Sequence, residues 1–147
     1  MGDRKKSEGK TILAGFLILS AAALWCAVKL SAQNESGIAG ATNEQRVAYI
    51  ESFGWDASTV PTDQREVRIP ANFDEAYEEY NALQKEQGFD LRKYRACSVK
   101  KFTYLIDSRD DPAVPIVANL LVLDGEIIGA DISSAEAGGL VTVLAKP

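Results

Sequence analysis

A chain of 147 residues, 46% hydrophobic and 25% charged, has room for one ordinary folded domain and an appendage. Its charge is split: residues 1–10 carry four basic and two acidic side chains, a net of +2, whereas Gln33 onward carries 11 Lys and Arg against 19 Asp and Glu, a net of −8. An acidic region of that size repels nucleic-acid phosphate, which argues against a nucleic-acid partner, and a chain without histidine has no Ser-His-Asp or Cys-His nucleophile and no imidazole zinc site.

Thr11 to Val28, "TILAGFLILSAAALWCAV", contains no charged residue. As a helix it spans about 27 Å, close to the roughly 30 Å hydrocarbon layer of a bilayer. Arg4, Lys5, Lys6 and Lys10 precede it and favour a cytoplasmic N-terminus. Lys29 can snorkel to the far interface. A cleavable signal needs a shorter apolar run followed by a small-x-small site. Leu30-Ser31-Ala32 begins with a bulky residue, Ala21-Ala22-Ala23 lies inside the run, and Ala39-Gly40-Ala41 lies too far beyond it. Trp25 before Cys26 argues against a lipoprotein site in the same way. The expected organisation is a cytoplasmic basic tail over 1–10, a transmembrane signal-anchor over 11–30, a flexible spacer over 31–42 and an extracytoplasmic domain over 43–147. Secretion after signal cleavage is the alternative.

In the domain, Thr42 with Gln45 forms a capping-box pattern, Gly54 can close the helix, and Val47, Ile50 and Phe53 make one apolar stripe. Thr59 to Arg65 reads as a polar turn, and "EVRIP" as a short strand ended by Pro70. "ANFDEAYEEYNALQKEQG" predicts a second helix with Asn72 as N-cap, a buried face of Phe73, Ala76, Tyr77, Tyr80 and Leu83, and Gly88 as its end. Phe89, Leu91 and Tyr94 are expected to fold back over the core.

From Ser98 the period becomes two, with Phe102, Tyr104 and Ile106 alternating against Lys101, Thr103 and Leu105. A loop with Pro112 and Pro115 follows. "IVANLLVL" and "EIIGADI" flank Asp124-Gly125, the strongest hairpin signal in the chain. "LVTVLA" can add an edge strand. The expected fold class is α+β: after the transmembrane helix, a small domain with two helices packed on an antiparallel sheet of three or four strands.

The segments "NEQRVAYIESFGW", "IPANFDEAYEEYNALQKEQGFDLRKY" and "ANLLVLDGEIIGADI", in that order, resemble a family of exported bacterial proteins catalogued as a domain of unknown function and numbered forty-eight thirty. The resemblance covers roughly residues 43–136. It implies a source among Gram-positive gut bacteria and a layout of one hydrophobic segment before one small domain. It implies no activity and supplies no catalytic or binding residue.

The residues themselves nominate no catalytic, cofactor-binding or metal-binding set. Two cysteines, Cys26 in the apolar run and Cys97 in the domain, give no disulfide framework, and Cys97 reads as a small strand residue rather than a thiol nucleophile. Asp74, Glu75, Glu78 and Glu79 fit the solvated face of an amphipathic helix and lack a calcium-loop pattern. Asp107, Asp110 and Asp111 fit a polar loop. Ser133-Ser134 has no partner base. Trp55, Tyr77, Tyr80, Tyr94 and Tyr104 are core fillers or interface anchors. The expected function is a membrane-tethered, non-enzymatic interaction module of the cell envelope that needs no cofactor. Its expected contacts are the membrane through residues 11–30 and an envelope protein or wall component. The alternatives are a small envelope hydrolase using acidic residues and an assembly subunit joined through the edge near residues 139–145.

Overall fold

The computed structural model describes residues 37–107, 115–134 and 139–145. The expected transmembrane span, Cys26, Asp110 and Asp111 lie outside the described residues, among which no helix is long and apolar enough to cross a membrane. In chain order the elements are β1 (Ile38–Ala39), α1 (Asn43–Glu51), β2 (Asp63–Arg68), α2 (Glu75–Glu86), a 3-10 helix (Leu91–Tyr94), β3 (Ser98–Ile106), β4 (Ile116–Leu123), β5 (Glu126–Ser134) and β6 (Val141–Thr142).

Alternation builds the centre. In β3, Phe102, Tyr104 and Ile106 are 5%, 0% and 3% exposed, and the side chains between them turn to the other face. β3 pairs antiparallel with β4, and β4 with β5, through a tight turn whose Asp124 and Gly125 both have positive φ (48° and 84°), as a type I′ turn requires. Leu121 faces Gly129 while Val122 faces Ile127, so Ile128 is the extra residue of a β-bulge. That bulge lets the adjacent Ile127 and Ile128 both be buried.

The α+β class holds, but the sheet has six strands among the described residues rather than three or four. β2 begins at Asp63, inside the stretch read as a turn, because an edge strand paired on one side tolerates a polar sequence. β1 comes from the stretch read as spacer and pairs with Glu126 and Ile127. β6 pairs with Ile132 and Ser133 on the same side of β5. A two-residue strand has no period to read, which is why β1 escaped the pattern.

One face of the sheet carries the main core. Phe102, Tyr104, Ile106, Ala118, Leu120, Val122, Ala130 and Ile132 pack there with Ile50 of α1, Phe89 and Leu144. α1 opens with the expected capping box: the Thr42 hydroxyl accepts from the Gln45 N–H, and the Gln45 side chain accepts from the Thr42 N–H. α2 opens two residues later than expected. Asp74, not Asn72, is its N-cap, accepting from the Tyr77 N–H at 2.9 Å.

The face that α2 buries is also different. Asn81 and Gln84 are its buried residues, Ala76 is exposed, and Phe73, Tyr77, Tyr80 and Leu83 are half-buried. The cause lies in β5. Between β1 and β6 its outer edge is open at Ala130, whose backbone N–H and C=O must find partners. The Gln84 side-chain amide supplies both, accepting from Ala130 N at 2.8 Å and donating to Ala130 O at 2.9 Å. Gln87 donates to the same carbonyl and accepts from Leu144 N. Gln84 of α2 and Gln87 at its C-cap therefore stand where a strand would pair.

Candidate functional site

Beside the β4–β5 turn, the main-core face is left open as a cleft of about 370 Å³. Phe102, Val122 and Leu123 give it an apolar lining, and Glu66, Ser98, Lys100, Asp124 and Gly125 add polar and backbone groups. Glu66 and Lys100 are cross-strand partners in the β2–β3 register, so one charge of each sign is placed there by pairing.

Arg46 of α1 completes the lining and is only 7% exposed. Its Nε donates to the Tyr104 hydroxyl at 2.9 Å, and its Nη1 donates to Gly40 O at 2.8 Å and Ala41 O at 3.1 Å. The guanidinium lies over the Phe102 ring, 3.7 Å from its centroid. Tyr104 in turn donates to Asn43 Oδ1 at 3.0 Å. The ion pairs among the described residues are Arg65 with Asp63 and Arg92 with Glu78; Arg46 is in neither, although the exposed Glu44 carboxylate on the same helix feels its charge. A cation with five donors is thus held in one orientation by carbonyls, a phenol and a ring face.

On the opposite face of the sheet, Thr103, Asn119 and Asp131 stand side by side in register. Asn119 donates to Asp131 Oδ1 at 2.7 Å and to Ser133 Oγ at 3.0 Å, and accepts from the Thr103 hydroxyl at 2.8 Å. Tyr80 of α2 donates to Asp131 Oδ2 at 2.7 Å. Burial, then the adjacent Asp131 charge and this hydrogen bond, push the Tyr80 phenol well above its ordinary range. Asp131 is 5% exposed, and both of its oxygens are occupied. Such a network ties α2 to the sheet.

Residues 49–132, more than half of the chain, match the family described as Domain of unknown function (DUF4830). The chain belongs to the DUF4830 family. No curated protein and no solved structure matches it. The DUF4830 stretch begins within α1 and ends in β5, so it contains the Glu66, Lys100, Phe102, Val122 and Asp124 of the cleft and the whole Tyr80–Asp131–Asn119 network. Arg46 and Ala41 stand just ahead of it.

The residues weighed from sequence fall mostly outside the cleft of this DUF4830 chain. Asp74 caps α2, Glu78 pairs with Arg92, and Glu75 and Glu79 are exposed on the helix. Asp107 is exposed, its backbone bonded to Asp56 O. Among the described residues no group of three or more metal-ligating side chains comes together. Cys97 is buried, with its Sγ 3.7 Å from Arg95 O, and the other cysteine, Cys26, lies outside the described residues. Ser133 belongs to the Asn119 network. Tyr104 is fully buried, Trp55 donates to Leu144 O at 2.7 Å, and Tyr77 lies half-buried between Phe73 and Tyr80. Arg46 was missed, although it carried a signal: positions 46, 50 and 53 follow the 4-3 spacing of a buried helical stripe.

Proposed function

We propose that this chain is a membrane-tethered, extracytoplasmic, non-enzymatic interaction module of the bacterial cell envelope, whose domain binds an envelope protein or wall component. The uncharged run Thr11 to Val28 behind four basic residues supports the tether. The observation that carries the binding role is the cleft wall. Arg46 is oriented by three hydrogen bonds and a ring face and is in no ion pair among the described residues, an arrangement suited to recognising a partner's polar group.

Protease applied to intact cells, combined with in-cell crosslinking from the cleft rim, tests the reading. The expected result is digestion of residues 37–147 without lysis and a discrete crosslinked envelope species. Protection of the domain until lysis sinks the placement. Turnover of a wall or peptide substrate by the purified chain sinks the non-enzymatic role. A hydrolase working with acidic residues is the second reading, favoured by Glu66 and Asp124 both lining the cleft. Loss of such turnover in Glu66→Gln or Asp124→Asn would select it.

A further inference from the structure

We infer that the cleft takes a chain-terminal carboxylate, the C-terminus of a peptide with an apolar last residue, with its carboxylate on Arg46 and Lys100 and its side chain against Phe102 and Val122. The inference rests on the interaction-module reading and names the ligand class for that site.

The first support is the state of Arg46. Its Nε and Nη1 are taken by Tyr104, Gly40 and Ala41, while Nη2 makes no hydrogen bond among the described residues and is not sealed from solvent. Burying a guanidinium is costly, and carbonyl oxygens, an aromatic face and the exposed Glu44 carboxylate, which is not ion-paired with it, offset that cost only in part. An oxygen anion reaching Nη2 would complete the set with a charge-assisted bond, and Arg46 would not have to move. Lys100 lines the same cleft and is not ion-paired, so a second cation is present for the other oxygen of the same head.

The second support is the balance of charge. Two cations, Arg46 and Lys100, share the cleft with two carboxylates, Glu66 and Asp124. A dianionic phosphate would meet both carboxylates with its second charge, so a monoanion fits better. The acidic residues also disfavour clusters of negative charge in the rest of the ligand, which points to one anionic end on an otherwise neutral chain.

The third support is size and lining. At about 370 Å³ the cleft falls in the range of small-ligand sites, large enough for one residue and part of the next. Phe102, Val122 and Leu123 line it with carbon, so a polar last side chain would lose water without gaining a partner.

The test uses the full-length chain in detergent micelles and backbone-amide NMR. The probes are N-acetyl-Ala-Ala-Leu as the free acid, the same peptide as its C-terminal amide, and inorganic phosphate. The free acid is expected to give saturable shifts at Lys100, Asp124 and Gly125, and the amide to bind at least about tenfold more weakly, the scale of one charge-assisted bond. Arg46→Gln removes anchors of the fold, so the working variant is Lys100→Gln, an exposed strand residue, expected to weaken the free acid several-fold without changing the unfolding midpoint. Equal binding of acid and amide, no saturable shift from the acid, phosphate competing as well as the acid, or Lys100→Gln binding like the parent would each overturn the inference. In-cell crosslinks that persist while the peptide fails to bind would remove the carboxylate site and leave the interaction role standing. Peptide binding without any crosslink in cells would remove that role and leave the site.

Discussion

Tyr49 of α1 shows how one half-buried side chain makes this domain sensitive to alkali. It packs against the main core with Phe53 at its edge, ring centroids 5.2 Å apart, and burial pushes its phenol up to about 12 from an ordinary value of 10.0. The folded state therefore holds the proton more tightly than the unfolded chain. That contribution to stability is complete below about pH 10 and is lost as pH rises toward the folded value. Tyr80 acts in the same direction, since its raised value also favours the neutral phenol in the fold. We expect the urea midpoint to fall between pH 10 and 12, and Tyr49→Phe to flatten that fall. An unchanged slope in the variant would show that Tyr49 deprotonates in the folded chain without strain. Arg46 makes the complementary case. Its position on the stripe with Ile50 and Phe53 was visible in the sequence, but a buried Arg is explained only by acceptors, and these come from the backbone of Gly40 and Ala41 and from Tyr104, 58 residues away. No local pattern announces a partner at that separation.

The elements that local patterning specifies fully are those whose partners lie along the same chain segment. β3 runs over Ser98–Ile106 as its alternation requires, the Asp124–Gly125 turn joins β4 to β5, and the Thr42–Gln45 box starts α1. α2 differs because its inner side is set by the open edge of β5. There a pattern of aromatic and aliphatic residues suggested one buried face, and the edge at Ala130 selected Gln84 instead. Asn81 has a matching task, accepting from Leu91 N at 2.8 Å and donating to Asp90, which fixes the 3-10 helix after Gly88. Gly129 is the close-approach point: a Cβ there would meet Gln84 Oε1 at 3.1 Å and Leu121 Cδ1 at 3.2 Å. If Gln84 is a strand surrogate, Gln84→Met keeps the volume but leaves the Ala130 N–H buried without a partner. We expect a loss of about 2–3 kcal/mol in urea unfolding, the scale of an unsatisfied buried amide. Gln87→Met should cost less, because Ala130 O keeps its bond from Gln84 and the N–H that loses its acceptor, that of Leu144, is in a part-buried bond rather than a buried one. Equal losses in the two variants would mean that the Ala130 N–H costs no more to orphan than the Leu144 N–H.

For the molecule as a whole the decisive boundary lies a few residues before the first helix. Charge and composition placed the start of the domain at residue 43, because "SAQNESGIAGAT" has the small, polar character of a linker. Its last residues belong to the fold nonetheless. Ile38 and Ala39 pair with Ile127 and Glu126, Gly40 N donates to Gly125 O at 2.8 Å, and the carbonyls of Gly40 and Ala41 hold Arg46. The compact unit accordingly begins at Gly37. A chain cut to 43–147 loses strand β1, the Thr42 cap of α1 and the two carbonyls that solvate a buried cation. Removing acceptors from a buried charge is the costliest of these losses. We expect a fragment of 37–147 to unfold cooperatively, and 43–147 to be less stable by about 3–5 kcal/mol in urea or to fail to fold. The cleft gives a second readout, since Arg46 should no longer stack on Phe102 once its anchors are gone, and the Arg46 Nε–H resonance should move toward its position in the unfolded chain. Equal midpoints for the two fragments, with that resonance unmoved, would show that the strap ahead of α1 is ornamental and that the guanidinium is held by Tyr104 and the ring alone.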